Sequence, residues 1–186
     1  DCKKLISASV DKTLKLWDLE TGSVIHTLEG HTDRVESVVI FNHGRFAASG
    51  SWDATIKIWD LESGELVKSL DSYKSSNPHE SNYVLDLAAS PDGSLLASAS
   101  GMGTCEIKIW NLKLLEEIKS FKGSWDNVNA LAFLPDNQHL VSGARSAQRL
   151  KLWDLSTAEE KYTVTLGATI SATNDLVLTP DGSKVI

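Results

Sequence analysis

Four short segments of the chain end in the same way, and no other feature constrains its fold as tightly. They are TLKLWDL around Trp17, TIKIWDL around Trp59, EIKIWNL around Trp110 and RLKLWDL around Trp153. Successive tryptophans stand 42, 51 and 43 residues apart. A second marker keeps the same beat. FNHG ends at Gly44, SPDG at Gly93, LPDN at Asn137 and TPDG at Gly182, in steps of 49, 44 and 45 residues. Two markers in phase require one supersecondary unit, repeated. Units of this length cannot bury an apolar face alone and do so by stacking on their neighbours.

Within one period the local chemistry is strand, turn, strand. VESVVIF (Val35 to Phe41) and RFAASGS (Arg45 to Ser51) flank Asn42, His43 and Gly44, and Gly44 supplies the positive φ that a tight hairpin needs. TIKIWDL alternates Ile56 and Ile58 with Lys57 and Asp60, the period of a half-buried strand. Turns ending at Gly22 and Gly64 lead into SVIHTL and ELVKSL, a fourth strand. No segment carries a sustained 3.6-residue apolar stripe, so helix content is predicted to be near zero. The predicted class is all-β, with four antiparallel strands per period.

In these segments the chain resembles the WD-repeat family, and the resemblance covers essentially its whole length. The best-preserved repeat is GHTDRVESVVIFNHGRFAASGSWDATIKIWD, Gly30 to Asp60. The resemblance implies a β-propeller built of four-stranded antiparallel blades, about four blade equivalents here. It also implies a hydrogen-bonded tetrad in each blade, here His31, Ser49, Asp53 and Trp59. Such a set makes physical sense, because a buried indole N–H, imidazole and carboxylate each need a partner. The first repeat keeps Ser7, Asp11 and Trp17. The third reads SGMGTCEIKIW, with a turn two residues longer and no Asp, and an insertion obscures its Gly-His position. The fourth has Ser124 where His is expected, and its ARSAQRLKLW lacks the turn Asp. One tetrad is therefore complete in sequence.

The approximate repeats are 1–29, 30–70, 71–121, 122–165 and a partial 166–186. DGSKVI at 181–186 aligns with DCKKLI at 1–6, which places both ends within the second strand of a blade. Open strand edges there lead us to expect part of a larger seven- or eight-bladed ring. Either the remainder of a longer propeller or a second copy joined head to tail as a homodimer would complete it.

Several function classes are disfavoured. The net charge is −7 and the cations are scattered singly, which argues against nucleic acid. No apolar run is long enough for a membrane helix, so no membrane partner is expected. Two cysteines are too few for a disulfide scaffold, and an intracellular setting, cytoplasmic or nuclear, is the expectation. None of His26, His31, His43, His79 and His139 has a partner at metal-ligand spacing, so neither metal nor cofactor is expected. His26 and His43 read as solvent-facing, and the acid pairs Glu116–Glu117 and Glu159–Glu160 as solvated charge at turn ends. No nucleophile–base pair stands out, so the chain reads as no enzyme. A propeller hydrolase is the minor alternative.

The residues that remain are those the resemblance places on the top face of the propeller. They are Arg34 and Glu36 around Val35, Tyr83 and Leu85 around Val84, Asn127 and Asn129 around Val128, with Val10 and Trp52 before the turn aspartates. Arg, Trp and Tyr on one rim are the composition of a protein-binding hot spot. Trp52 in SGSWDAT is the sharpest case, with packing against a neighbouring blade's loop as the alternative. Trp125 in GSWDNV is the next. The polar stretch from Asp71 to Tyr83 lengthens one loop, and it should share a face with the Gly101–Thr104 turn. The expected function is a non-catalytic protein–protein interaction scaffold that binds partner peptides or loops on the top face. The alternative is a regulatory or sensor array of a larger signalling ATPase or kinase.

Overall fold

Each of the four Trp-bearing segments is a strand inside an antiparallel sheet. The computed structural model describes residues 3–73, 82–101, 104–123, 127–144, 149–166, 173, 175–179 and 184. The first sheet holds β1 (Lys4–Ala8), β2 (Leu14–Asp18) and β3 (Val24–Leu28) in the order β1-β2-β3. The second holds β4 (Val35–Phe41), β5 (Phe46–Ser51), β6 (Thr55–Asp60) and β7 (Glu65–Asp71). The third holds β8 (Tyr83–Ala89), β9 (Leu95–Gly101), β10 (Glu106–Asn111) and β11 (Glu116–Lys122). The fourth holds β12 (Val128–Phe133), β13 (His139–Ala144), β14 (Arg149–Asp154) and β15 (Glu159–Thr165). Strands pair in chain order within every sheet, and the described residues contain no helix. These are the blades of an all-β propeller.

Burial fixes the direction of each blade. β7 and β15 are almost wholly exposed, whereas β5, β9 and β13 are almost wholly buried. β8 packs against both β4 and β12, so these first strands form the inner wall. The core lies between blades. One cluster joins Ala48, Ile56 and Ile58 of the second sheet to Val84, Leu87, Leu96 and Trp110 of the third. Others join the first sheet to the second and the third to the fourth, and Leu176 lies against Ala130, Ala132 and Val141. Each blade is thus buried by its neighbour, as repeat arrays require.

The turns show how the sequence enforces this. Asp18, Asp60, Asn111 and Asp154 end the third strands, and each side chain accepts a backbone N–H two residues on. This Asx geometry closes the hairpin to the fourth strand. The left-handed residue that follows is Gly22 or Gly64 in two blades, but Leu115 and Ala158 in the others.

Two sets of bulges recur. Opposite each tryptophan the fourth strand carries an extra residue, Val67 in the second blade, where Trp59 pairs with Leu66 and Ile58 with Lys68. The first strands carry extra residues too. Val35 and Ser37 pair with adjacent Ser51 and Gly50, which leaves Glu36 bulged. Leu85 and Asn129 are the equivalent extra residues of β8 and β12. A bulge re-aims the side chain it adds, and here it does so three times on the inner wall.

Candidate functional site

In the second blade the side chains of Trp59, Ser49, His31 and Asp53 form a continuous line of contacts. Trp59 Nε1 donates to Ser49 Oγ at 2.8 Å, and Ser49 Oγ lies 2.8 Å from His31 Nε2. His31 Nδ1 lies 2.8 Å from Asp53 Oδ2, and that oxygen also accepts the Thr32 N–H at 2.9 Å. The other carboxylate oxygen accepts both the hydroxyl and the N–H of Thr55, at 2.6 and 2.9 Å. Burial opposes the Asp53 charge, but the bonds from His31, Thr55 and Thr32 outweigh it and hold the carboxyl well below the usual range. The line of contacts runs from the outer half of the blade to its rim, so it fixes the turn that carries Trp52.

The other blades keep the indole-to-serine bond with different surroundings. Trp17, Trp110 and Trp153 donate to Ser7, Ser98 and Ser142 at 2.9, 2.9 and 2.8 Å. In the third blade the place of His31 is taken by Tyr73, three residues after Leu70 as His31 is three after Leu28. Its buried hydroxyl lies 2.8 Å from Ser98 O and 2.9 Å from Ser98 Oγ. Thr104 stands where the turn Asp would be, 3.0 Å from Ser100 Oγ, and its N–H donates to Asn82 Oδ1 at 3.2 Å. That bond joins the two lengthened segments on one face. The insertion hid Tyr73 in the sequence, although counting from the leucine that pairs with the third strand would have found it.

On the face where the first strands begin, the rim residues form one stack. The Arg34 guanidinium carbon lies 3.2 Å from the centre of the Trp52 ring. Trp52 in turn stacks on Tyr83 of the next blade, with centroids 4.0 Å apart and planes 11° from parallel. The Trp52 N–H donates to the carbonyl of Arg34 at 3.1 Å through the backbone, which sets the turn beside the strand. Arg34 also ion-pairs with Glu36, Nε to Oε2 at 3.3 Å, and both side chains are about one-third exposed, at 34% and 39%. The Trp52 indole N–H is buried without a hydrogen-bond partner among the described residues. Four of the residues singled out in the sequence, Arg34, Glu36, Trp52 and Tyr83, are therefore contiguous. Trp52 is not a freely exposed aromatic but a half-buried one packed against the next blade. Trp125 and His79 lie outside the described residues.

Beside the stack is a polar cleft of about 520 Å³ on the inner wall, lined by the bulged Glu36, Leu85 and Asn129 together with Asp86 and Asp175. Asp86 reaches across three blades. Its Oδ1 accepts from Ser37 Oγ at 2.9 Å and its Oδ2 from the Leu131 N–H at 2.7 Å. Burial pushes its carboxyl up to about 7, against the hydrogen bonds it accepts and with a further upward push from Asp175. Sequence reading passed over Asp86, because its partners lie 49 and 45 residues away.

Two minor readings change. His26 is half-buried against the turn of the second blade, near Glu62 and Gly64, and does not simply face solvent. Glu117 and Glu160 pair across strands with Lys108 and Lys151 at 2.8 and 2.7 Å, so they are not merely solvated. Among the described residues no group of three or more His, Cys, Asp or Glu is placed to hold a metal ion. No described helix is long and apolar enough to cross a membrane.

The WD domain, G-beta repeat pattern matches residues 1–18, 22–60, 67–111 and 115–154. The chain belongs to the WD40 family. The WD40 match reaches into all four blades, ending before β15, and the relatives agree with it. The chain is 29% identical over 189 residues to pre-mRNA-processing factor 19 of Oryza sativa subspecies japonica, covering 96% of the chain and 33% of that protein. It is 30% identical over 156 residues to a guanine nucleotide-binding protein subunit beta of Zea mays, covering 81% of the chain and 40% of the relative. It is 32% identical over 158 residues to a human NACHT domain- and WD repeat-containing protein 1, covering 84% of the chain and 10% of the relative. The chain thus spans two-fifths or less of these three relatives. WD40 repeats generally serve as non-catalytic scaffolds that bind other proteins.

Proposed function

We propose that this chain is a docking platform that grips a peptide or loop of another protein at the rim between its second and third blades. The observation that carries this reading is the Arg34–Trp52–Tyr83 stack. It layers a planar cation and two aromatic rings face to face across the rim of two blades, and such residues dominate binding energy at interfaces. Their rotamers are already fixed by one another, so a partner loses little side-chain entropy on docking. Trp52 is the apolar anchor, and Arg34 with Glu36 supplies charge selection. The relatives support an assembly role, since one of them is itself a subunit of a nucleotide-binding protein. The setting we assign is cytoplasmic or nuclear.

The test is quantitative co-precipitation with the chain, its Trp52→Ala variant and a His43→Ala control, each checked for folding by circular dichroism. His43 is exposed in the hairpin at the other end of β4. Proteins recovered by the chain and the control but lost with Trp52→Ala support the placement. Unchanged recovery of every protein with a folded Trp52→Ala variant overturns it.

A second reading makes the chain a sensor segment of a larger signalling protein. It is favoured by the human relative, in which the matched WD repeats make up a tenth of a protein that also carries a NACHT domain. The full-length transcript decides it. A nucleotide-binding domain in the same reading frame supports this reading, and a product made of WD repeats alone removes it.

A further inference from the structure

We propose that Asp86 is a proton-operated tie between three blades, one carboxyl group that holds β4, β8 and β12 together in either protonation state and changes the charge of the inner-wall cleft when it gains or loses a proton. The geometry is specific. Asp86 follows the bulged Leu85 on β8, Ser37 follows the bulged Glu36 on β4, and Leu131 lies two residues after the bulged Asn129 on β12. One carboxyl group therefore holds all three strands immediately beside the residues that line the cleft. Ser37 is also held from its other side, because its Oγ accepts the Leu87 N–H at 3.1 Å.

The tie works in both protonation states, which is what makes it a switch and not a breaking point. As a carboxylate, Asp86 accepts from the Ser37 hydroxyl and the Leu131 amide. When it gains a proton, one oxygen still accepts from Leu131. The new O–H can donate to Ser37 Oγ, whose own hydrogen rotates away. The groups facing Asp86 favour the proton. Glu36 on β4 and Asp175 after the fourth blade are carboxylates on the same cleft, β12 offers the uncharged Asn129, and no described cation lines this cleft. Burial raises the carboxyl first and the like charge of Asp175 adds to it, so that against the hydrogen bonds it accepts it is pushed up to about 7.

The sign of the effect follows. Between the ordinary carboxyl value of 3.8 and about 7 the folded chain holds a proton here that the unfolded chain has released. Stability from this group is thus greatest at the acid end of that window, falls as pH rises through it, and is level above about 7. Asp86→Asn copies the protonated form, with its amide oxygen accepting from Leu131 and its NH₂ donating to Ser37.

The experiment is an amide NMR titration of the chain from pH 5.5 to 8.5, with melting temperatures measured alongside. We expect the Leu131 and Leu87 amide signals to shift together with a midpoint near 7, and the melting temperature to fall as pH rises toward that midpoint and to level off beyond it. Asp86→Asn should show neither response and should melt above the parent chain at pH 8.5. Ser37→Ala, which removes a bond to the carboxylate, should move the midpoint to higher pH. Flat Leu131 and Leu87 shifts in the parent chain overturn the proposal, whether or not Asp86→Asn folds. So does an unchanged pH response in a folded Asp86→Asn variant.

Discussion

Trp52 of the second blade lies flat on Tyr83 of the third, with ring centroids 4.0 Å apart. The contact joins a turn to the start of the next first strand, so one aromatic pair ties two repeats at their rim. Aromatic pairs contribute about 0.5–1.5 kcal/mol beyond the area they bury. A double-mutant cycle with Trp52→Ala and Tyr83→Ala, read by urea denaturation, is therefore expected to give a coupling energy in that range. Arg34→Ala adds the cation's share, and its loss is expected to be smaller because the guanidinium is partly solvated. Additive single losses, with no coupling, would show that the stack has no role in holding the blades.

Ser49 receives the Trp59 N–H and meets His31 with the same hydroxyl. Ser49→Ala leaves a buried indole donor and an imidazole nitrogen unmet, so a loss of about 1–3 kcal/mol is expected, the usual cost of an unsatisfied buried group. The pH profile gives a second check through Asp53. Its carboxyl is held below the usual range, so its stabilising contribution is present above pH 3.8 and is lost as pH falls below that value. Asp53→Asn is expected to lower stability at pH 7 and to flatten the acid limb of the melting curve. An acid limb of unchanged steepness would mean that other carboxylates govern it.

How much of this was legible in the sequence depends on the range of the interaction involved. Strand pairs, hairpins and Asx turns are local, and the spacing of Trp17, Trp59, Trp110 and Trp153 located them. The His31, Ser49, Asp53 and Trp59 contacts lie within one repeat, so an intact repeat sufficed to suggest them. Tyr73 was missed because the following insertion blurred the register by which it replaces a histidine. Asp86 was missed because its meaning comes from two neighbouring blades, and nothing in the order of residues near it marks that meeting. Trp52 was legible as unusual, but the ring it rests on is 31 residues away in the chain.

Tyr73 offers a direct check on that replacement. Its buried hydroxyl bonds to Ser98, and burial raises its pKa far enough to keep it a neutral donor across the usual pH range. Tyr73→Phe keeps the packing and removes the bond, so a loss of about 1 kcal/mol is expected. Melting temperature at pH 7 reads it, and the change should be the same at pH 9 because the phenol does not ionise in between. A loss that shrinks at pH 9 would show that the phenol is titrating and is not buried as described.

Gly50 on β5 shows how closely the blades approach. A methyl group added there would come within 2.5 Å of Val84 Cγ1 on the first strand of the next blade. Neither side is a flexible chain end, so the sheets must part, and overpacking of this kind costs about 1–3 kcal/mol. Gly50→Ala is therefore expected to destabilise the chain even though alanine suits a strand better than glycine. Gly22 makes the contrast, since nothing lies within 4 Å of its added methyl and only its φ of 69° opposes alanine. Shortening the opposing side chain separates the two causes. Val84→Ala removes the atom that Gly50→Ala would strike, so the double variant is expected to lose less stability than the sum of the singles. The same Val84→Ala change should give no relief to Gly22→Ala, whose cost is carried by its own backbone. Strict additivity of Gly50→Ala with Val84→Ala would mean that the second and third blades do not meet at this point.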